Sequence, residues 1–245
     1  MHNMLNDDNV KTEGQLLSES LSYTIKNCWE SADDDQIDKI FEFAESYKSM
    51  LDAGKTEREF CSETQKLLLA AGFQNLQDLL AQNTALEPGM KVYQNIHGKS
   101  LLFAVIGEKP VYEGVNIVGA HIDSPRIDLK TNPVYEDTEL ALLDTQYYGG
   151  IKKYQWVTIP LALHGVVVKQ NGESVHINIG EADDDPVFVI TDLLPHLARL
   201  QMEKKASEVI SGEGLNVLAG SLPYKDEKAK DKVKLNLLKI LNDKY

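Results

Sequence analysis

Residues Asn116 to Asp123 read NIVGAHID, with Ser124 and Pro125 following. The run is apolar until His121 and Asp123 enter at its end. A continuous apolar stretch of this kind predicts a strand buried on both faces of a sheet, with functional groups at its C-terminal end. His121 and Asp123 are two residues apart, so alternation places them on the same side of that strand. An imidazole can ligate zinc through one nitrogen while a carboxylate orients the ring. The same residues also suit a capped strand end, with His121 bonded to the backbone and Asp123 forming a turn with Ser124 and Pro125. H-x-D spacing alone does not separate these two readings.

Upstream of this stretch the periodicity is mixed. KVYQNI (91–96) and SLLFAVI (100–106) flank His97-Gly98-Lys99, a pattern that predicts a β-hairpin. Thr56 and Glu59 have the T-x-x-E spacing of a capping box, so a helix is expected from Thr56 to about Gly72. Phe60, Thr64, Leu67, Leu68 and Ala71 form its expected buried stripe. Asp33, Asp34 and Asp35 suit the positive end of an earlier helix carrying Ile37, Ile40, Phe41, Ala44, Tyr47 and Leu51, with Gly54 as its stop. Residues before Ser31 read as a loosely held extension. Helices alternating with strands to this point argue for an α/β layer.

Downstream of Pro125 short strands dominate: ELALLDTQ (139–146), WVTIPLALHGVVVKQ (156–170), SVHINIG (174–180) and PVFVIT (186–191). Asn171-Gly172 between two of them is a strong hairpin signal. Asp183, Asp184 and Asp185 before Pro186 read as a solvated turn. A helix is expected from about Leu193 to Lys204, mostly loop from 205 to 230, and an amphipathic helix over KVKLNLLKILNDKY (232–245) with Val233, Leu235, Leu238 and Leu241 among its apolar positions.

The chain has 245 residues and a formal net charge of −13. That acidity argues against a nucleic-acid partner and against an anionic membrane surface. Two cysteines, Cys28 and Cys61, are too few for a disulfide scaffold and read as reduced thiols of a cytoplasmic protein. Met1 to Val10 carries no basic stretch followed by an apolar one, so no signal peptide is expected. No apolar run has the length needed to span a bilayer.

GAHIDSPRIDLK (119–130), followed by TQYYGGIKKYQWVTIPLALHGVVV (145–168), closely resembles the aspartyl-aminopeptidase-like family of cytosolic zinc aminopeptidases. The similarity runs from about Ile37 to Tyr245. It implies an α/β/α catalytic domain that binds two zinc ions, interrupted after the H-x-D strand by an inserted β-rich dimerisation domain. On that basis the chain divides into an extension over 1–30, the front of the catalytic α/β domain over 31–133, and the inserted domain over 134–245. The resemblance implies that His121 ligates one zinc and that Asp123 orients the site as a catalytic residue. It places the remaining ligands, and the Glu that serves as general base, after the inserted domain.

This chain matches only the front of the family pattern. A hydrolytic zinc centre needs about three protein ligands per metal and an open position for water. The chain is therefore expected to be a truncated form, inactive alone and without tight stoichiometric zinc. The alternative is a non-catalytic dimerisation or interaction module. Peptide substrates and a homo-oligomer are the partners implied.

The other histidines carry weaker signals. His196, in TDLLPHLARL, matches a Pro-His-Leu-Ala segment of the family's inserted domain. It can be a metal-proximal residue, a group reaching a neighbouring subunit's site, or an ordinary helix-start histidine. His164 reads as a sheet-surface or turn residue, His97 as a hairpin-turn residue, and His176 as an alternating strand position. Tyr147, Tyr148, Gly149 and Gly150 read as a structural bend beside the substrate entrance.

Overall fold

The computed structural model describes residues 11–244. The absence of a signal peptide at Met1 to Val10 is an expectation that falls outside the described residues. The described chain divides into two units, 1–50 and 51–245.

The first unit holds α1 (Glu13–Leu21) and most of α2 (Asp34–Ala53). Helix α1 lies within the stretch expected as a loose extension and gives it local order. Thr12 and Gln15 form a reciprocal capping box there, a local signal sufficient to start a helix. Helix α2 begins where the acidic triplet predicts, with Asp33 and Gln36 capping one another. Neither helix has a buried side chain.

The second unit opens with α3 (Glu57–Ala70), capped by Thr56 and Glu59 as expected. Its buried residues are Cys61 and Leu68, whereas Leu67 and Ala71 of the expected stripe are exposed. The helix packs one face on β2 and β3, and the two exposed positions turn away from that contact. A two-residue β1 (Gln74–Asn75) leads into α4 (Leu76–Ala81). The predicted hairpin forms from β2 (Lys91–Ile96) and β3 (Ser100–Val105), with His97 and Gly98 both at positive φ in its turn. The sheet order is β1-β2-β3, so β3 has a neighbour on one side only.

The strand expected over Asn116–Asp123 does not form. Ile117 is 83% and Val118 99% exposed. Hydrophobicity marked this run for burial, but a strand also needs a hydrogen-bonding partner and a covering layer, and neither lies among the described residues.

From Arg126 the fold is antiparallel. A long β4 (Arg126–Asp137) pairs with β5 (Leu140–Tyr148), with a register shift between Leu129 and Val134. Next come β6 (Pro160–Leu161), β7 (Leu163–Val168), β8 (Ser174–Ile179), β9 (Phe188–Val189), the short α5 (Arg199–Met202), β10 (Val217–Gly220) and α6 (Lys232–Lys244). Five strands form a sheet in the order β4-β5-β10-β9-β6. Strands β7 and β8 form a separate hairpin closed by Asn171-Gly172, with Gly172 at φ 86°.

Leu143, Val157, Ile179, Phe188, Ile190, Ile210, Leu215 and Val217 make the core, and Leu237 of α6 packs against it. The buried position of α6 is Val233, while Leu235 and Leu238 of its expected apolar face remain exposed.

One further expectation is corrected. The helix from Leu193 to Lys204 shrinks to α5, because Pro195 disfavours helical backbone at Leu194 and donates no N–H. The stretch 205–230 is mostly loop as expected, but it also holds β10, unforeseen in the sequence, which fills the centre of the sheet. The aspartate turn forms as expected: Asp185 accepts from the backbone N–H of Gly180 and Ala182, which holds its carboxyl below the ordinary carboxylate value.

Candidate functional site

His121 and Asp123 are brought together by the turn into β4, not by a strand. His121 Nδ1 lies 3.0 Å from the Asp123 carbonyl and 3.1 Å from Asp123 Oδ1. A carbonyl oxygen can only accept, so this contact calls for a proton on Nδ1, which is the nitrogen that the protein engages. The His121 side chain is 84% exposed. Nε2 is therefore the unengaged nitrogen of an exposed ring, while Nδ1 is tied to Asp123.

Asp123 has a second partner. The Tyr148 hydroxyl, at the end of β5, donates to Asp123 Oδ2 at 3.0 Å. That bond, the Asp123 backbone N–H and the His121 contact together hold the Asp123 carboxyl below its ordinary value. Donating that hydrogen bond, next to the Asp123 charge, pushes the Tyr148 phenol up, so the phenol remains a donor. Gly149 follows at φ 79°, a backbone conformation that glycine supplies at no steric cost, and its Cβ position would face Pro125.

Behind Tyr148 stands Arg126. The two residues are cross-strand partners in the β4–β5 pair, and the Arg126 guanidinium carbon lies 4.0 Å from the phenol ring centroid. Arg126 is itself held by two carboxylates: Nε donates to Asp128 at 2.8 Å, and Nη1 to Glu57 at 2.9 Å. Glu57 lies in the first turn of α3. A continuous set of contacts thus runs from α3 through Arg126, Tyr148 and Asp123 to His121. Sequence reasoning found His121 and Asp123, gave Tyr148 only a backbone role, and missed Arg126 and Glu57. The available signal was Arg126-x-Asp128, a cation and an anion on one face at a strand start.

His164 differs from its expected surface role. Its side chain is 9% exposed, with Nδ1 2.8 Å from Glu59 Oε1. Nε2 lies 3.2 Å from Glu181 Oε1 without hydrogen-bond alignment. Burial alone would raise the Glu59 carboxyl, but the hydrogen bond and charge of His164, with two bonds from Thr56, bring it below its ordinary value. His196 is exposed in the turn before α5, and its side chain forms no hydrogen bond or ion pair among the described residues.

The H-x-D pair has donor chemistry that suits zinc. One outward imidazole nitrogen backed by a carboxylate fits a single ligand and its orienting partner. Among the described residues no group of three or more His, Cys, Asp or Glu side chains could hold a metal ion. No catalytic step follows from the pair alone.

Comparison with known proteins shows the family. The family model described as aminopeptidase I zinc metalloprotease (M18) matches residues 50–245. A probable M18 family aminopeptidase 1 from Clostridium acetobutylicum is 54% identical over 220 residues, covering 90% of this chain and 47% of that protein. The crystal structure of an M18-family aminopeptidase from Thermotoga maritima superposes with a TM-score of 0.82 at 42% identity, covering 91% of this chain and 47% of that one. The crystal structure of aminopeptidase I from Clostridium acetobutylicum gives 0.81 at 51% identity, covering 92% and 49%. The chain spans about half the length of the relatives it matches.

Proposed function

The chain belongs to the aminopeptidase I zinc metalloprotease (M18) family, and on that premise we propose that it forms the front part of a zinc aminopeptidase that removes N-terminal residues from peptides. In this reading 31–133 belongs to an α/β/α catalytic domain and 134–245 to a β-rich insertion through which copies of the protein associate. His121 ligates one of two zinc ions, and Asp123 orients its ring. The observation that carries the reading is the contact of His121 Nδ1 with the Asp123 carbonyl and carboxylate, which leaves Nε2 unengaged on an exposed ring. Zinc, when bound, would polarise the scissile carbonyl and lower the pKa of its water. His196 is assigned to the neighbourhood of the metal. The working compartment is the cytoplasm. No helix among the described residues is long and apolar enough to cross a membrane.

Because the described residues hold no complete ligand group, the chain alone is inactive in this reading and needs the remaining ligands from elsewhere. Equilibrium dialysis against zinc tests this. The expected result is weak binding, well below two ions per chain, that is lost in His121→Ala. Two tightly held ions per chain would contradict it.

One observation favours a second reading, a non-catalytic dimerisation or interaction module. Ile117 and Val118, and Leu102, Phe103 and Val105 on β3, present exposed apolar surface. Zinc-independent dimers in light scattering, with no zinc response at His121, favour the module. A zinc response at His121 favours the enzyme part.

A further inference from the structure

We propose that Tyr148 is a positioning residue for His121, acting through Asp123, and that Arg126 anchored on Glu57 fixes Tyr148 in that role. The inference rests on the reading of His121 as a metal ligand and extends it to residues that neither composition nor motif assigned.

Asp123 sits at the end of a segment that pairs with no strand. Nothing in local secondary structure fixes its carboxylate. A side chain in that situation samples several rotamers, and the His121 ring bonded to it samples with it. Both carboxylate oxygens are nevertheless engaged, Oδ1 by His121 Nδ1 and Oδ2 by the Tyr148 hydroxyl. The second bond is the one that comes from ordered structure, since Tyr148 closes the long β4–β5 ladder.

A tyrosine at a strand end can itself swing, and Arg126 restrains it. The guanidinium lies over one face of the ring, and its own position is over-determined by Glu57 and Asp128. Arginine suits this task because its planar fork stacks on an aromatic face while donating to carboxylates from separate nitrogens. Glu57 adds the last link, since helix α3 fixes it independently of the sheet. The consequence at the metal-facing end is chemical. An Asp123 held in place keeps the His121 proton on Nδ1, and the Nε2 lone pair then points away from the protein.

The test is nitrogen-15 NMR of the His121 side chain in the metal-free 245-residue chain, comparing the parent with Tyr148→Phe and Tyr147→Phe. Tyr148→Phe keeps the ring that Arg126 covers and removes only the hydroxyl. Tyr147 is the adjacent exposed tyrosine, outside the contact series. Circular dichroism melts establish that each variant is folded, and Tyr148→Leu, read in the same way, replaces Tyr148→Phe if the latter is not.

The expected result is a dominant Nδ1–H tautomer in the parent and in Tyr147→Phe, with a shift toward Nε2–H in Tyr148→Phe. An unchanged His121 signature in Tyr148→Phe would overturn the proposal. So would equal changes in both tyrosine variants, or a parent without Nδ1–H preference. Adding zinc afterwards separates the two claims. A His121 that keeps its tautomer dependence on Tyr148 but does not respond to zinc refutes the ligand reading and leaves the positioning claim standing.

Discussion

Arg126 and Tyr148 face each other across the β4–β5 pair, with the guanidinium carbon 4.0 Å from the centre of the phenol ring. Through this pair a helix, a sheet and an otherwise unpaired segment become one mechanical unit. Glu57 of α3 holds Arg126, and Tyr148 holds Asp123. The longest antiparallel ladder among the described residues ends beside the H-x-D pair.

Replacing Arg126 by Met should therefore cost more than an ordinary surface change. Glu57 and Asp128 are both half-buried and would lose their charged donor. A partly buried charge-assisted pair left without one partner costs roughly 1–3 kcal/mol. Urea midpoints of the parent and Arg126→Met measure this, and Arg126→Lys should recover only part of the loss, because one ammonium does not reproduce the fork.

Acid should weaken the contact between α3 and β7. The Glu59 carboxyl lies below its ordinary value in the folded chain, with His164 the main favourable cause against the opposing effect of burial. A carboxylate depressed in this way stabilises the fold above its unfolded-state pKa, and the contribution disappears as pH falls through the folded value. The side chain is 27% exposed, so solvent screening keeps the gain small. Denaturant midpoints followed from neutral pH down through the carboxylate range should fall more steeply in the parent than in Glu59→Gln.

Glu136 should prove to be a remote helix cap. Its Oε2 accepts from the backbone N–H of both Val233 and Lys234 at 2.9 Å, at the start of α6. A carboxylate at that end meets both the unpaired donors and the helix dipole. Glu136→Ala should cost about 1 kcal/mol, within the range for lost caps. It should also speed amide exchange in α6 while leaving β2 and β3 unchanged.

Gly180 should tolerate no side chain. It sits at φ 109°, and a Cβ there would lie 2.9 Å from the Leu161 carbonyl oxygen and 3.0 Å from Ala162 Cα. Both contacts are backbone, so neither can rotate away. Gly180→Ala should destabilise by more than about 1 kcal/mol, whereas Gly165→Ala, with open space around it, should be far milder. Thermal midpoints of the two variants decide this.

Local signals were legible wherever a few neighbouring residues suffice. Thr56 and Glu59 announced α3, and Asn171-Gly172 announced the β7–β8 hairpin. Long-range requirements were not legible. NIVGAHID is apolar enough for a buried strand, but whether a strand forms depends on a partner that the run does not encode. Strand β4 was missed because Asn132 and Pro133 interrupt its alternation and the register shifts between Leu129 and Val134.

Of the site, His121 and Asp123 were visible as a motif. Tyr148 lies 25 residues from Asp123, and Glu57 lies 69 from Arg126, and only the β4–β5 register and the packing of α3 bring them together. His164 looked superficial because its two glutamate partners are distant in sequence.

The most direct measurement is release of the N-terminal residue from an aminoacyl chromogenic substrate. It is made on this chain alone, and on this chain mixed with the complementary back part of the Clostridium acetobutylicum relative, with zinc present. The proposed function predicts no turnover by the chain alone. It predicts chelator-sensitive turnover in the mixture, abolished by His121→Ala and reduced roughly 10–100-fold by Asp123→Asn, the range found when a group orienting a metal ligand is lost. Turnover by the chain alone, or undiminished turnover in a mixture carrying His121→Ala, would contradict it.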